Sequence, residues 1–210
     1  IPGNREQMGK YKILCFDGGG IKGVLAIKLL QILLRDFPRL LKNISLFAGT
    51  STGAIIALAL AHGVKPDKLL DLYINHAPQI FDPFEVPFYE QLARGINKPK
   101  YHNIKLQNLL EQTFGGNPPL KSLPAKVLVT AFKLNYEHRW YPVQITNFSG
   151  SKYLSTPLVD AALRSCAAPV YFPSYQGYID GGVFANNPSA IALAAALEKM
   201  GGKAILNKIR

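Results

Sequence analysis

Three consecutive glycines, Gly18-Gly19-Gly20, restrict what this chain can fold into more than any other feature. Before them Lys12-Ile13-Leu14-Cys15-Phe16 is a short β-forming run, and after them Val24, Leu25 and Ile27 begin a helical period. Strand, tight loop and helix in that order bring backbone N–H groups, free of Cβ crowding, to one point in front of a helix N-terminus, whose partial charge is positive. The stretch therefore predicts a site for negative charge.

Gly18-x-Gly20-x-x-Gly23 also satisfies a dinucleotide-binding fingerprint,. That reading needs a second strand ending in an acidic residue about 20 residues on, and here a helical pattern runs through Leu34 to Asp36-Phe37-Pro38 instead. Next comes Ile44-Ser45-Leu46-Phe47-Ala48-Gly49-Thr50-Ser51-Thr52-Gly53, a strand entering a G-x-S-x-G turn, and then the helical run Ala54 to Ala61. G-x-S-x-G between strand and helix is a nucleophile elbow, in which Gly49 and Gly53 relieve crowding so that Ser51 can sit on a strained turn. The anion expected at the glycine loop is then an oxyanion.

A chain of 210 residues fits one domain and is long enough to bury roughly 70% of its unfolded surface. Cys15 and Cys166 read as two buried free thiols, which favours a reducing, cytoplasmic setting. The longest aliphatic runs, Ala54 to Ala61 and Ala190 to Leu197, have eight residues each, well short of the roughly 20 that span a membrane. Residues 1–9 lack an apolar signal region and read as a linker or expression remnant ahead of a catalytic domain over 10–210. The net charge of +11 suits an anionic surface or serves solubility alone,. Without zinc ligands, RNP-like aromatics or a run of basic residues, lipid headgroups fit that charge better than nucleic acid.

Further along, helical periods are expected over 22–36, from Pro66-Asp67 to about Tyr73, over 103–114, from Ser155-Thr156 to Cys166, and over 189–200 behind an Asn187-Pro188 start,. Extended segments are expected at Lys126 to Leu134, Arg139 to Phe148 and entering Tyr178-Ile179-Asp180,. Ile80 to Tyr89 holds four aromatics and two prolines without a period. It reads as a loop or cap, either packed on the core or forming a rim toward substrate or membrane. Strands alternating with helices predict an α/β three-layer sandwich with a mostly parallel central sheet. Asp17, Ser51 and Asp180 would then lie along one edge of that sheet, at the strand ends.

A serine nucleophile needs a proton acceptor and oxyanion donors. Among the four histidines, His62 ends a helix, His76 precedes a proline, His102 opens a helix and His138 lies in a polar turn. None follows a late strand, so each reads as structural or superficial. Asp180 is the better base: it ends a strand, and Gly181 and Gly182 behind it allow close approach by another backbone. Its ordinary pKa of about 3.9 predicts a partly desolvated site that raises it. Lys22 reads as a solvated first-turn lysine.

Asp17-Gly18-Gly19-Gly20-Ile21-Lys22-Gly23, Gly49-Thr50-Ser51-Thr52-Gly53 and Asp180-Gly181-Gly182, in that order, resemble the patatin-like phospholipases. The match extends to Ala167-Ala168-Pro169-Val170-Tyr171-Phe172-Pro173 and Asn186-Asn187-Pro188. The resemblance implies hydrolysis of membrane-lipid acyl esters by a Ser51–Asp180 dyad, without histidine, metal or cofactor, and the basic charge with the aromatic stretch Phe81 to Tyr89 adds the expectation of an anionic interface,. The resemblance also implies an oxyanion hole from the N–H groups of Gly18, Gly19 and Gly20, with Thr52 as a further donor. The chain ends about 30 residues after Asp180, where the family usually continues, so a shortened or compact member with an unknown regulatory partner is expected. Competing expectations are a soluble esterase or thioesterase with the same dyad, and a lipid-binding or defence-storage protein.

Overall fold

The structure is a computed structural model that describes residues 11–76, 101–134 and 139–199. The aromatic stretch Ile80 to Tyr89, His138 and the N-terminal nine residues lie outside the described residues. The elements at its centre are β1 (Ile13–Phe16), α1 (Gly23–Asp36), β2 (Leu46–Thr50) and α2 (Thr52–His62). Two further helices follow, α3 (Pro66–Asp71), extended by a wider π turn over Leu72–His76, and α4 (Asn103–Phe114). The rest is β3 (Lys126–Lys133), β4 (Tyr141–Thr146), α5 (Leu158–Cys166), β5 (Tyr178–Asp180), the single turn α6 (Gly182–Ala185) and α7 (Ser189–Lys199).

The sheet runs β1-β2-β3-β4, with β1, β2 and β3 parallel and β4 antiparallel to β3. Alternation along the strands separates two cores. Phe47, Val127 and Val129 face the layer that contains α2, α4 and α5, whereas Leu46, Ala48 and Leu128 face Ala192 and Ala195 of α7. Helices on both faces explain why β2 is buried at every position and reads as an unbroken apolar run,. The three-layer α/β sandwich expected from the alternation of elements is the observed architecture.

The position of β5 decides where the site forms. Strand β2 occupies one edge of β3 only as far as the pair Thr50↔Thr130, and β4 occupies the other edge through Lys133. Strand β5 pairs with β3 antiparallel at Ala131↔Asp180, Phe132↔Ile179 and Lys133↔Tyr178. It therefore sits on the β2 side, directly beyond the end of β2, running toward it. Asp180 meets the residue that follows Thr50 head to head, rather than lying beside it at the end of a parallel strand.

Three local details depart from the sequence reading. Neither Ser155 nor Thr156 caps α5; the N–H of Val159 is taken by Asn117 Oδ1 at 2.9 Å, a cap delivered from another segment,. Cys15 is half-buried rather than buried, and both cysteines are free thiols. Helix α1 turns Ile27 and Leu30 into the core but leaves Leu25, Leu29 and Ile32 exposed, because its apolar residues cover more of the circumference than the sheet can accept.

Candidate active site

Ser51 stands between β2 and α2 with φ 56° and ψ −125°, a conformation a non-glycine residue adopts only under constraint,. Its neighbours make room in the manner expected of an elbow. A Cβ on Gly49 would lie 2.1 Å from the Gly53 carbonyl oxygen, and one on Gly53 would lie 2.1 Å from the Phe16 carbonyl oxygen. Helix α2 can thus seat its first turn directly against the end of β1, and its positive end faces Ser51.

Asp180 is 5% exposed and its carboxylate interacts with the Ser51 hydroxyl. Its Oδ1 accepts the Gly182 N–H at 2.6 Å, and its own N–H donates to the Ala167 carbonyl at 2.9 Å. Burial pushes the carboxyl above its usual range, against the opposing pull of the hydrogen bonds from Ser51 and Gly182,. Gly181 answers to close approach: a Cβ there would meet Thr130 Oγ1 at 2.1 Å.

The sequence reading overlooked Ser165, which joins these two turns. Its side chain is fully buried, and its Oγ accepts the Ser51 N–H at 2.9 Å. Its carbonyl oxygen accepts the Gly181 N–H at 3.3 Å. Tyr73 was overlooked as well. It lies in the π turn after α3, and its hydroxyl contacts the Thr52 hydroxyl and donates to the Thr52 carbonyl at 3.1 Å. The only local signal for either residue was a polar group within an otherwise apolar helical stretch.

The glycine loop closes the other side. The Gly18 N–H donates to the Asn186 carbonyl at 3.0 Å, while Asn186 Nδ2 returns a bond to the Gly18 carbonyl at 3.2 Å. Asn187 Nδ2 reaches Asp17 Oδ1 at 2.9 Å, and Asn187 Oδ1 takes the Ser189 N–H at 2.9 Å as the expected cap of α7. The expectation that Gly18 offers a donor is therefore corrected: its N–H is consumed in anchoring the loop. Gly19 and Gly20 line a cavity of about 350 Å³ together with Ser51 and Thr52.

That volume falls in the range of ligand sites, roughly 300–1,000 Å³. Beyond Ser51 the walls are chiefly apolar, from Ile55, Leu72, Leu106 and Phe172. Cys166 also lines it, beside Ser51, and burial together with the charge of Asp180 drives its thiol well above the usual range, so it is neutral there. No histidine lines the cavity among the described residues. His62 Nε2 is spaced 3.0 Å from the Phe114 carbonyl, and His76 pairs with Asp71 at 3.7 Å on the surface.

A strained G-x-S-x-G turn at Ser51, a buried carboxylate and a glycine loop around an apolar cavity occur here in the chain order noted from the sequence, and the patatin-like phospholipase family description matches residues 14–193. The chain belongs to the patatin-like phospholipase family. Among its relatives is CotR of Bacillus subtilis, 38% identical over 197 residues that cover 91% of this chain and 59% of CotR. A cGAMP-activated phospholipase of Escherichia coli is 30% identical over 205 residues, covering 91% of this chain and 57% of that protein. An intracellular phospholipase A2 of Caenorhabditis elegans is 31% identical over 196 residues, covering 88% of this chain and 17% of that protein. This patatin-like chain thus spans less than two thirds of the length of these relatives. Its fold is also that of VipD from Legionella pneumophila, with a TM-score of 0.52 at 15% identity over 85% of this chain and 47% of VipD. No helix among the described residues is long and apolar enough to cross a membrane.

Proposed function

We propose that the chain is a lipid acyl hydrolase of the phospholipase A type, working through Ser51 and Asp180. The observation that carries this reading is the buried Asp180 carboxylate against the Ser51 hydroxyl, beside an apolar cavity flanked by Gly19 and Gly20. Asp180 accepts the Ser51 proton as Oγ attacks the ester carbonyl. The carbonyl oxygen becomes an oxyanion facing the Gly19 and Gly20 N–H groups and the positive end of α2. Collapse of the tetrahedral intermediate expels the lysolipid alkoxide, which takes the proton from Asp180, and leaves the fatty acyl group esterified to Ser51. Water, deprotonated by Asp180, then releases the fatty acid and restores the serine. The acyl chain lies along Ile55, Leu72 and Leu106 while the glycerol headgroup remains outside.

The test is fatty-acid release from mixed phospholipid vesicles, with the products identified by mass spectrometry, for wild type beside Ser51→Ala. Release by wild type, and none by the folded variant, is the expected result. Should wild type release nothing even with added cGAMP, chosen because two relatives are named as cGAMP-activated phospholipases, a fluorophosphonate probe decides the matter. Failure to label Ser51 overturns the catalytic reading; labelling retains the serine hydrolase and rejects phospholipid as its substrate.

A further inference from the structure

Val170 occupies a position that local chemistry assigns to glycine. The N–H of Tyr171 bonds to the Ala168 carbonyl at 3.1 Å, closing a turn with Pro169 at its second place and Val170 at its third, where φ is 72°. Turns with proline second and positive φ third take Gly or Asn there, and a β-branched residue at positive φ is an outlier. Burial does not compensate, since Val170 is 59% exposed. An aliphatic side chain is thus held out into solvent, at a conformational cost, on the residue next to Tyr171, which lines the cavity.

Two other segments also expose an aliphatic side chain nearby, without backbone strain. The Tyr101 N–H donates to the Tyr171 carbonyl at 2.8 Å and the two rings stack with centroids 6.3 Å apart, which brings the start of α4 against the Val170 turn. Ile104, in the first turn of that helix, is 65% exposed. Ile21 follows Gly20, another lining residue, and is 49% exposed. Lys22 and Lys105 stand exposed beside them. Asp17, the neighbouring carboxylate, is held by Asn187.

We propose that Val170, Ile104 and Ile21 form a rim that docks the mouth of the cavity onto an anionic lipid bilayer, with the aliphatic side chains entering the acyl boundary and the lysines among the headgroups. The occupant follows from the chemistry of the rim. Apolar side chains interspersed with cations, on a chain of net charge +11, match a surface that is hydrocarbon below and negative above,. Docking in this orientation lets an acyl chain pass from bilayer to cavity without crossing water. The inference rests on the lipid-hydrolase reading but concerns binding, so it can be tested without turnover.

The experiment measures partition of the whole chain, carrying Ser51→Ala, onto vesicles of equal parts phosphatidylcholine and phosphatidylglycerol, with pure phosphatidylcholine as comparison. Val170→Gly in that background should bind the anionic vesicles about tenfold more weakly, the partition value of one valine side chain, with an unchanged or slightly higher melting temperature because strain is relieved. Ile104→Asp should weaken binding further, and pure phosphatidylcholine should bind less than the anionic mixture. In the active chain both variants should keep wild-type turnover of a dispersed short-chain ester and lose turnover on vesicles. Equal partition of wild type, Val170→Gly and Ile104→Asp, or no partition of wild type, would overturn the proposal. Vesicle binding that follows the rim variants, with no hydrolysis of any ester, would leave the docking surface standing and remove the hydrolase reading.

Discussion

Ser165→Ala removes one oxygen and leaves every residue named in the chemistry in place. The Ser51 N–H loses its acceptor at 2.9 Å; the Ser165 side chain is fully buried, while Ser51 itself is half-buried. Leaving a buried donor unsatisfied costs about 1–3 kcal/mol; half-burial of Ser51 places the loss at about 1–2 kcal/mol, which in a domain of this size lowers the melting temperature by about 2–8 °C. The catalytic effect is separable from that loss. Ser51 holds φ 56° against a tendency to relax, and Ser165 ties it to the turn carrying Asp180 through the Gly181 N–H. Releasing one end of that tie lets the hydroxyl drift from the carboxylate, and a displacement near 1 Å costs up to about 100-fold. Stopped assays on a dispersed ester should show kcat reduced about 10–100-fold with KM nearly constant, because Ile55, Leu72 and Leu106 still form the cavity. The second-order rate of fluorophosphonate labelling should fall with kcat. Ser155→Ala, exposed in the segment before α5, is the control. If Ser165→Ala melts within about 1 °C of wild type and labels at the wild-type rate, the clamp has no role and the reasoning fails.

Two other outcomes follow from the same geometry. Burial raises the Asp180 pKa above its unfolded value, so between the two values the native state holds more protons and stability falls as pH rises through that window,. Asp180→Asn should therefore abolish turnover yet melt no lower than wild type at pH 7, with any gain vanishing below the unfolded value of about 3.9; a variant less stable at both pH values would show that contacts to the carboxylate outweigh its burial. Gly53→Ala sets a Cβ 2.1 Å from the Phe16 carbonyl oxygen and should cost about 3 kcal/mol or more, whereas Gly20→Ala meets nothing within 4 Å and carries only the strain of φ +56°, about 1–2 kcal/mol,. Thermal melts of the two decide it, and equal losses would contradict the packing described for the elbow.

The strained turn at Ser51, the carboxylate of Asp180 and the glycine loop were legible as structural features because each depends on residue types within a few positions of one another. Glycines at 49 and 53 around Ser51 are demanded by the elbow itself, since Cβ atoms there would strike backbone. Gly181 after Asp180 is demanded in the same way by Thr130. Alternating strand and helix patterns likewise determine a layered sheet, because each apolar face must find another.

What the chain could not reveal locally is how far-separated segments share hydrogen bonds. Whether Gly18 is a donor or an anchor depends on Asn186, 168 positions away. The Ser51 amide depends on Ser165, 114 positions away, and the start of α5 on Asn117. Most decisive is β5: a three-residue strand has no pattern that states its direction, and only the free edge of β3 beyond Thr130 aligns it antiparallel and delivers Asp180 to Ser51. Sequence alone thus determined which groups are available for chemistry, since steric demand and periodicity act between neighbours in the chain. Tertiary structure decided which are free and which are consumed, because backbone donors and strand edges are satisfied by whatever the fold brings to them.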